Sequence, residues 1–512
     1  MSAKKKTIDA IFEQASNESG MRTHLVLTDG SEISYSETFE RGRRLASALR
    51  QQGVKPGDRV ASFMYNCRTL YEFYIGVALV GGIAVPINVQ STAHEVEKLF
   101  LDCTPKVVIA NGEQALRLPN SLCEQHSVRR LITDGSVEGW ADYEETVSGN
   151  PPLDASFSDP ESAALIIYSS GTTGQPKGIV LRHRCLIDNA ETVIKILGYR
   201  QSDRFITLLP SFHLYGYSFD FLYSALVHAR MLVLPAFDPE IALDLIERER
   251  ISVLTGVPTM FSRMFDTSML EGRDLSSLRL IDVGGGPVSV SMKRRLKDEL
   301  DIDTVESYGL SEITTVACVQ LPGQAAAEGS CGPPLPGFDI RVMLPSGEEA
   351  PVGTPGELLF RSPTFMLGYW RQPELTDRTI RDGWLHTGDV GTVDEAGNVY
   401  ILDRIKDMIV TNGLNVFPKE VENEINEHPA VASVAVIGVP HETRGEEVHA
   451  FVVQNPNIET SAESIIAFCE KRLARYKVPR SIFFLDEMPL TASGKIRRFM
   501  LRDMAKREKA TT

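Results

Sequence analysis

Up to about Pro322 the chain alternates short apolar, β-branched runs with longer segments whose apolar residues recur at helical spacing. "RVASFMY", "KVVIANG", "AALIIYS", "RFITLLP", "RMLVLPA", "SVLTGVP" and "LRLIDVGG" read as buried strands. "YSETFERGRRLASALRQQG", "EIALDLIERER" and "VSMKRRLKDEL" read as helices with one apolar face. Strands that are apolar throughout need cover on both faces, so the alternation predicts layered α/β with largely parallel sheets. From roughly Gly329 to Arg404 the texture changes. "DIRVMLPSGEEAPVGTPGELLF" carries Pro-Ser-Gly and Gly-Thr-Pro-Gly punctuation and predicts a small β region of short strands. After Asp403 a new pattern begins with "EVENEINEH", "VASVAVIGVP", "EEVHAFVVQ", "ESIIAFCEKRLARY" and "SIFFLDE", compact enough for a separate α+β domain. The expected division is residues 1–403, a large N-terminal domain with the small β region, and 404–512, a small C-terminal domain.

Composition narrows the class. The chain has 512 residues, beyond the size at which one core stops growing, and 43% hydrophobic with 24% charged residues suits a globular protein. The longest apolar stretch, "FYIGVALVGGIAVPI" from Phe73, is broken by Gly81, Gly82 and Pro86 and reads as a buried helix entering a strand, not a membrane span. The polar "TIDAIFEQASNES" after the basic start offers no apolar signal region. Seven dispersed cysteines without a Cys-x-x-Cys pair fit a reducing cytoplasm and argue against a zinc site or a disulfide frame. A net charge of −15 argues against nucleic acid as a partner. From Lys471 onward, however, twelve Lys and Arg stand against four Asp and Glu.

The densest chemistry is "SSGTTGQPKG", Ser169 to Gly178. A Walker loop reads G-x-x-x-x-G-K-[ST] and runs into a helix. Here Pro176 precedes Lys177, Gly178 stands where Ser or Thr belongs, and the following "GIVLRH" favours a strand. The stretch therefore predicts a loop between two strands. Its glycines allow close backbone approach, and its hydroxyls and one lysine suit polyphosphate.

"YSSGTTGQPKGIV" resembles the signature of the adenylate-forming superfamily: acyl- and aryl-CoA synthetases, adenylation domains of peptide synthetases, and beetle luciferases. Further stretches resemble it in order: "LPSFHLYG" (Leu209–Gly216), "VGGGPV" (Val283–Val288), "YGLSE" (Tyr308–Glu312), "GWLHTGD" (Gly383–Asp389), "DRIKDMIVTNGLNVFPKEVE" (Asp403–Glu422) and "LTASGKIRR" (Leu490–Arg498). The resemblance covers nearly the whole chain. It implies a mobile C-terminal lid, and a reaction of a carboxylic acid with ATP and Mg²⁺ that gives acyl-AMP and pyrophosphate before a thiol attacks. The thiol is that of coenzyme A or of a carrier protein's phosphopantetheine.

The resemblance also implies roles. Ser169, Ser170, Gly171, Thr172, Thr173, Gly174 and Lys177 hold the outer phosphates, and Glu312 carries Mg²⁺. Tyr308 and Gly309 flank adenine, with Gly284, Gly285 and Gly286 beneath the base where a Cβ would collide. Ser311, where the family more often has Thr, keeps the hydroxyl for the α-phosphate. Asp389 and Arg404 hold the ribose, while His386 is structural. Lys495 bridges carboxylate and α-phosphate in the first step, Lys406 is the hinge, and Gly413 lines the pantetheine tunnel. His213 closes the carboxylate pocket.

The acyl pocket falls on the residues after His213, with Tyr215, Gly216, Tyr217 and Asp220 as its candidates. The aromatic residues suit an aryl or medium-length apolar acid. Asp220 either faces the pocket, where it would pair with a substrate amine, or faces outward as an ordinary helix residue. The "DMIVTNGLNVFPKEVE" wording is closest to CoA ligases. A stand-alone enzyme loading a separate acyl carrier protein stays open, as does a luciferase-like monooxygenase, and so does the choice between monomer and homodimer.

Overall fold

The computed structural model describes residues 6–509 apart from 170–175, 266, 287–292, 295, 299–300, 325–326, 442, 456–457 and 492–495. Two eight-stranded sheets form the larger part. One runs in the order Cys318–Val319, Asp303–Tyr308, Leu280–Gly284, Val253–Gly256, Arg204–Ile206, Arg230–Val233, Thr23–Leu27, Glu32–Ser34. The other runs Gly368–Tyr369, Lys177–Arg182, Ala163–Ser169, Ile83–Pro86, Arg59–Phe63, Val107–Ala110, Arg129–Ile132, Ala141–Asp142. Pairing is parallel through the middle of both and antiparallel at edges and hairpins. Every strand expected from the apolar runs is present, because such runs are stable only when covered on both faces.

The helices Ile8–Ser19, Tyr35–Gln51, Arg68–Leu79 and His183–Leu197 pack between the sheets around one large apolar core. Tyr35–Gln51 starts on a reciprocal cap in which the Ser34 hydroxyl accepts from Glu37 N while the Glu37 carboxylate accepts from Ser34 N. The expected helix in "VSMKRRLKDEL" lies largely outside the described residues.

The small β region is a five-stranded sheet of Asp339–Met343, Gly356–Arg361, Trp384–Val393, Ile380–Arg381 and Val399–Arg404. Beyond it, Ile409–Thr411, Leu414–Val416, Val431–His441, Gly445–Gln454 and Ser481–Leu485 form a last sheet, packed by the helices Pro418–Asn426, Ala462–Glu470 and Arg498–Lys509. Among the described residues, no apolar core cluster holds residues from both sides of Arg404. Polar links cross that point: Lys419 Nζ donates to the Ile401 carbonyl at 2.7 Å and Lys419 N to the Asp403 carboxylate at 2.9 Å. No described helix is long and apolar enough to cross a membrane, and none of the seven cysteines is in a disulfide.

Candidate active site

Ala163–Ser169 and Lys177–Arg182 pair antiparallel, with Ser169 opposite Lys177 at the end of the ladder. The glycine-rich loop is thus the tip of a hairpin. Ser170, Gly171, Thr172, Thr173 and Gly174 lie outside the described residues. The hairpin base is clamped: Trp370 N donates to the Gly178 carbonyl at 2.7 Å, and Gln372 Nε2 to the Pro176 carbonyl at 3.1 Å. A Cβ on Gly178 would fall 2.9 Å from Ile166 and 3.1 Å from Trp370, so close packing of the hairpin against Trp370 explains the absence of Ser or Thr there.

The segment that clamps the hairpin also reaches Glu312. Tyr369 pairs with Ile179 and its hydroxyl donates to Glu312 Oε1 at 2.8 Å. Glu312 sits in the short turn Ser311–Ile313, followed by Thr314 and Thr315 at φ 65° and 89°. Two consecutive left-handed threonines cost of the order of 1–3 kcal/mol each and persist only where contacts enforce them. Here the enforcing contacts are Thr314 Oγ1 on the Thr364 carbonyl and Thr315 Oγ1 with Ser218 Oγ at 2.6 Å. The same turn brings the Thr315 carbonyl over Gly309, where a Cβ would stand 1.6 Å from that oxygen.

Tyr308 ends the strand Asp303–Tyr308, and its hydroxyl donates to Asp389 Oδ2 at 2.6 Å. Asp389, 3% exposed, is also paired through Oδ1 with Arg404 Nε at 3.1 Å. Its two acceptor oxygens are therefore fixed from opposite sides. His386 pairs with Glu357 at 3.2 Å.

Gly284, Gly285 and Gly286 differ in their reasons for being glycine. A Cβ at Gly284 would stand 2.7 Å from the Tyr215 hydroxyl and 3.1 Å from Ser307 Oγ. Gly285 has φ 78°, and Gly286 meets only ordinary contact with Pro258. At Gly284 the collision is with Tyr215.

On the acyl side, His213 caps Leu214–Gly216, its Nδ1 accepting from Tyr215 N at 3.3 Å. Gly216 is packed on the Pro210 carbonyl, 2.6 Å from where its Cβ would be, so close packing leaves no room for a side chain there. Tyr217–Tyr223 then forms a π-helix. Its wide turn splits the aromatics into two files. Tyr215, Phe219 and Tyr223 contact one another in sequence (ring centroids 4.9 and 4.4 Å apart) on the side of Leu280–Gly284. Tyr217 and Phe221 pack instead on Tyr74 of Arg68–Leu79. Asp220 belongs with the second file. It is 2% exposed, so the outward-facing alternative is excluded; Oδ2 has no partner, burial pushes its carboxyl well above the usual range, and the group its charge acts on is Tyr71.

The carboxyl on the Tyr215 side is one the sequence reading passed over. Asp282, in "LRLIDVGG", is fully buried and accepts from the Tyr215 hydroxyl at 3.3 Å. Burial pushes it up to about 7, against the opposing pull of the Ser307 and Tyr215 hydroxyls. The signal was available: a lone acid inside an otherwise apolar strand must meet something polar.

The family model described as AMP-binding enzyme matches residues 12–370, and that described as AMP-binding enzyme C-terminal domain matches residues 420–495. The chain belongs to the AMP-binding enzyme family. It is similar to a feruloyl-CoA synthase of Amycolatopsis sp, 35% identical over 469 residues covering 91% of this chain and 93% of that protein. An indoleacetate–CoA ligase of Aromatoleum aromaticum is 33% identical over 481 residues, covering 93% and 94%. The crystal structure of ATP-bound MatB from Rhodopseudomonas palustris superposes with a TM-score of 0.90 at 30% identity, covering 98% of this chain and 99% of that one. The protein is an AMP-forming acid–thiol ligase of the acyl-CoA synthetase kind, working with ATP, Mg²⁺ and coenzyme A.

In this AMP-binding enzyme the residues named for domain movement fall in turns. Arg404 to Asp407 is a tight turn closed by Asp407 N on the Arg404 carbonyl at 3.0 Å, with Lys406 at its third position. Gly413 and Asn412, at φ 74° and 50°, are the two tip residues of the hairpin Ile409–Val416, the left-handed pair that two-residue hairpins require. The tip is exposed, and a Cβ on Gly413 would meet nothing within 4 Å. Lys495 lies outside the described residues, although Leu490 and Ile496 on either side form an antiparallel bridge. Among the described residues there is no group of three or more His, Cys, Asp or Glu fit to hold a metal. Glu312, a hard oxygen donor held in one orientation by Tyr369, is nonetheless suited to Mg²⁺, which takes few protein ligands and completes its shell with water and phosphate oxygens.

Proposed function

We propose that the chain uses residues 1–403 to form the acyl-adenylate and residues 404–512 as a lid that is repositioned for thioester formation. The observation that carries this reading is a pair of polar chains that converge on Arg404. One runs from the Lys177 strand through Tyr369 to Glu312, the other from Tyr308 through Asp389 to Arg404, whose guanidinium feels the charges of both Asp389 and Glu312. Phosphates belong at the Lys177 end and the ribose at the Asp389 end, where two fixed acceptor oxygens suit a diol once Tyr308 and Arg404 share them. Gly309, refused any side chain by Thr315, keeps the adenine side open. Glu312 would hold Mg²⁺, which supplies charge neutralisation when bound.

In the first step a carboxylate oxygen attacks the α-phosphorus and pyrophosphate leaves. Lys495, with Lys177, would neutralise charge shared between the two reacting groups, a task of positioning and electrostatics. His213 would close the pocket over the carboxylate. In the second step thiol sulfur attacks the acyl carbon, and AMP leaves with the oxygen that joined it to the acid. Turning at Lys406 would withdraw Lys495 and present the Gly413 hairpin to the pantetheine arm.

The acid is a ring-bearing one. Tyr215 and Phe219 offer aromatic walls, and the similar feruloyl-CoA synthase and indoleacetate–CoA ligase are named for aromatic acids. Unpaired cysteines fit work in the cytoplasm. The reading is tested by measuring pyrophosphate release from a panel of aryl, aliphatic and amino acids, with and without coenzyme A. An aryl acid should release pyrophosphate and, with coenzyme A, give its thioester and AMP. Release of ADP and phosphate instead would overturn it.

A further inference from the structure

Strand registers place Thr255 opposite Asp282 and Gly284 opposite Ser307. Alternation puts Thr255, Asp282, Gly284 and Ser307 on one face, shared with Val253, Leu280 and Val305 of the large core. On that face stands a set of buried polar atoms: Asp282 Oδ1 and the Tyr223 hydroxyl have no hydrogen-bond partner, and the Tyr199 hydroxyl has only the Thr255 side chain beside it. The three belong together, since the Asp282 charge acts on both phenols and Thr255 is the polar group beside Tyr199. Desolvated polar groups without full partners are costly, and a cluster of them in a packed core would be replaced by apolar residues if they had only to fill space. Asp220 is orphaned too, but its neighbour is Tyr71, away from the cleft.

Tyr215 is the wall between this set and the cleft. Its ring is half-buried, whereas Gly285 and Gly286 beside it are exposed. Its hydroxyl is held by long hydrogen bonds, 3.3 Å to Asp282 and 3.5 Å to the Gly256 carbonyl, with the Ser307 side chain beside it. A substrate atom could take over the bond to Asp282 at small cost. From Gly284, at the cleft floor, to Asp282 is two residues along a strand, about 6–7 Å, roughly the depth of one ring.

We propose that the acyl pocket ends on Asp282, and that the acid activated here carries a hydroxyl at its end remote from the carboxylate, on a ring, bonded to Asp282, Tyr199 and Tyr223. The proposal rests on the ligase reading above and deepens it. A hydroxyl meets both demands, donating to Asp282 and accepting from a phenol. An ammonium would leave the phenol protons unpaired, and a plain ring would leave Asp282 and Tyr223 unpaired.

The test uses the full chain and matched aryl acids that differ only in bearing a para-hydroxyl, a para-aminomethyl, a para-acetyl group or hydrogen. Pyrophosphate release is read as kcat/KM. The hydroxyl acid should exceed its unsubstituted partner by at least ~10²-fold, because a site built to hydrogen-bond a substrate rejects the analogue that lacks the group. Asp282→Leu should lower the hydroxyl acid at least tenfold more than the unsubstituted one. Tyr199→Phe and Tyr223→Phe, which remove one oxygen each and spare the packing, should shift the same ratio in the same direction even if Asp282→Leu does not fold. Equal use of hydroxyl and unsubstituted acids, preference for the amine, ketone or an aliphatic acid, or variants that lower both members of a pair equally would each overturn the proposal while leaving the ligase reading intact. No pyrophosphate from any acid would overturn the ligase reading, and the proposal with it.

Discussion

Replacing Asp282 by Asn should change how stability depends on pH. In the folded chain burial pushes this carboxyl up to about 7, from an ordinary value of 3.8. Between those values the folded state keeps a proton that the unfolded state has released, so the group's contribution to stability falls as pH rises. One pKa unit corresponds to about 1.4 kcal/mol, and integrating the difference from pH 5 to pH 8 gives a loss of roughly 3 kcal/mol in the native protein. Asn has no proton to exchange. Its altered contacts with Tyr215 and Ser307 add an offset that does not vary with pH in this range. Stability of Asp282→Asn minus that of the native protein should therefore rise by roughly 3 kcal/mol across the interval. Urea unfolding at pH 5, 6, 7 and 8 measures it. Tryptophan fluorescence is the suitable signal, because Trp140, Trp370 and Trp384 all precede Arg404 and report the part that contains Asp282. A difference that stays constant with pH would refute the reasoning, for it would mean that the carboxyl titrates normally in the fold.

Other outcomes follow from single contacts. Gly309→Ala, which sets a Cβ 1.6 Å from the Thr315 carbonyl, should shift that turn, lower the melting temperature and abolish ATP-dependent pyrophosphate exchange; an unchanged melting curve would contradict the packing described. Tyr369→Phe frees Glu312 and should raise the Mg²⁺ needed for half-maximal exchange by ~10-fold, the usual effect of losing a residue that orients a metal ligand. Lys406→Pro puts proline at the third position of its turn, where it expels the preceding residue from helical geometry; acyl-AMP should accumulate while thioester formation stalls, and equal slowing of both steps would refute a hinge there.

Much of the fold was legible because it is locally determined. Apolar β-branched runs had to be covered strands, and Pro176 with Gly178 had to end any resemblance to a Walker loop. Tyr308–Glu312 and Gly383–Asp389 were legible as motifs because each is one short stretch, and the fold brings Tyr308 onto Asp389. What was missed depends on contacts distant in sequence. "YSFDFLYSAL" is apolar almost throughout, so no periodicity announced a π-helix, and only that wide turn decides that Tyr215 and Phe219 face one way and Tyr217 and Asp220 the other. Asp220 drew attention by its place after His213, whereas the position of Asp282 beside the Tyr215 file is a matter of sheet order. The left-handed Thr314 and Thr315 gave no signal either, since their strain is held by Thr364 and Ser218.

The central claim is that the acid is joined to AMP before the thiol attacks, and the fate of one oxygen tests it. The enzyme is given an aryl acid labelled with oxygen-18 in both carboxylate positions, together with MgATP and coenzyme A, and the products are weighed by mass spectrometry. Attack on the α-phosphorus followed by thiol displacement requires AMP to carry one labelled oxygen and the thioester to keep the other. Unlabelled AMP, or label in pyrophosphate or inorganic phosphate, would contradict the account.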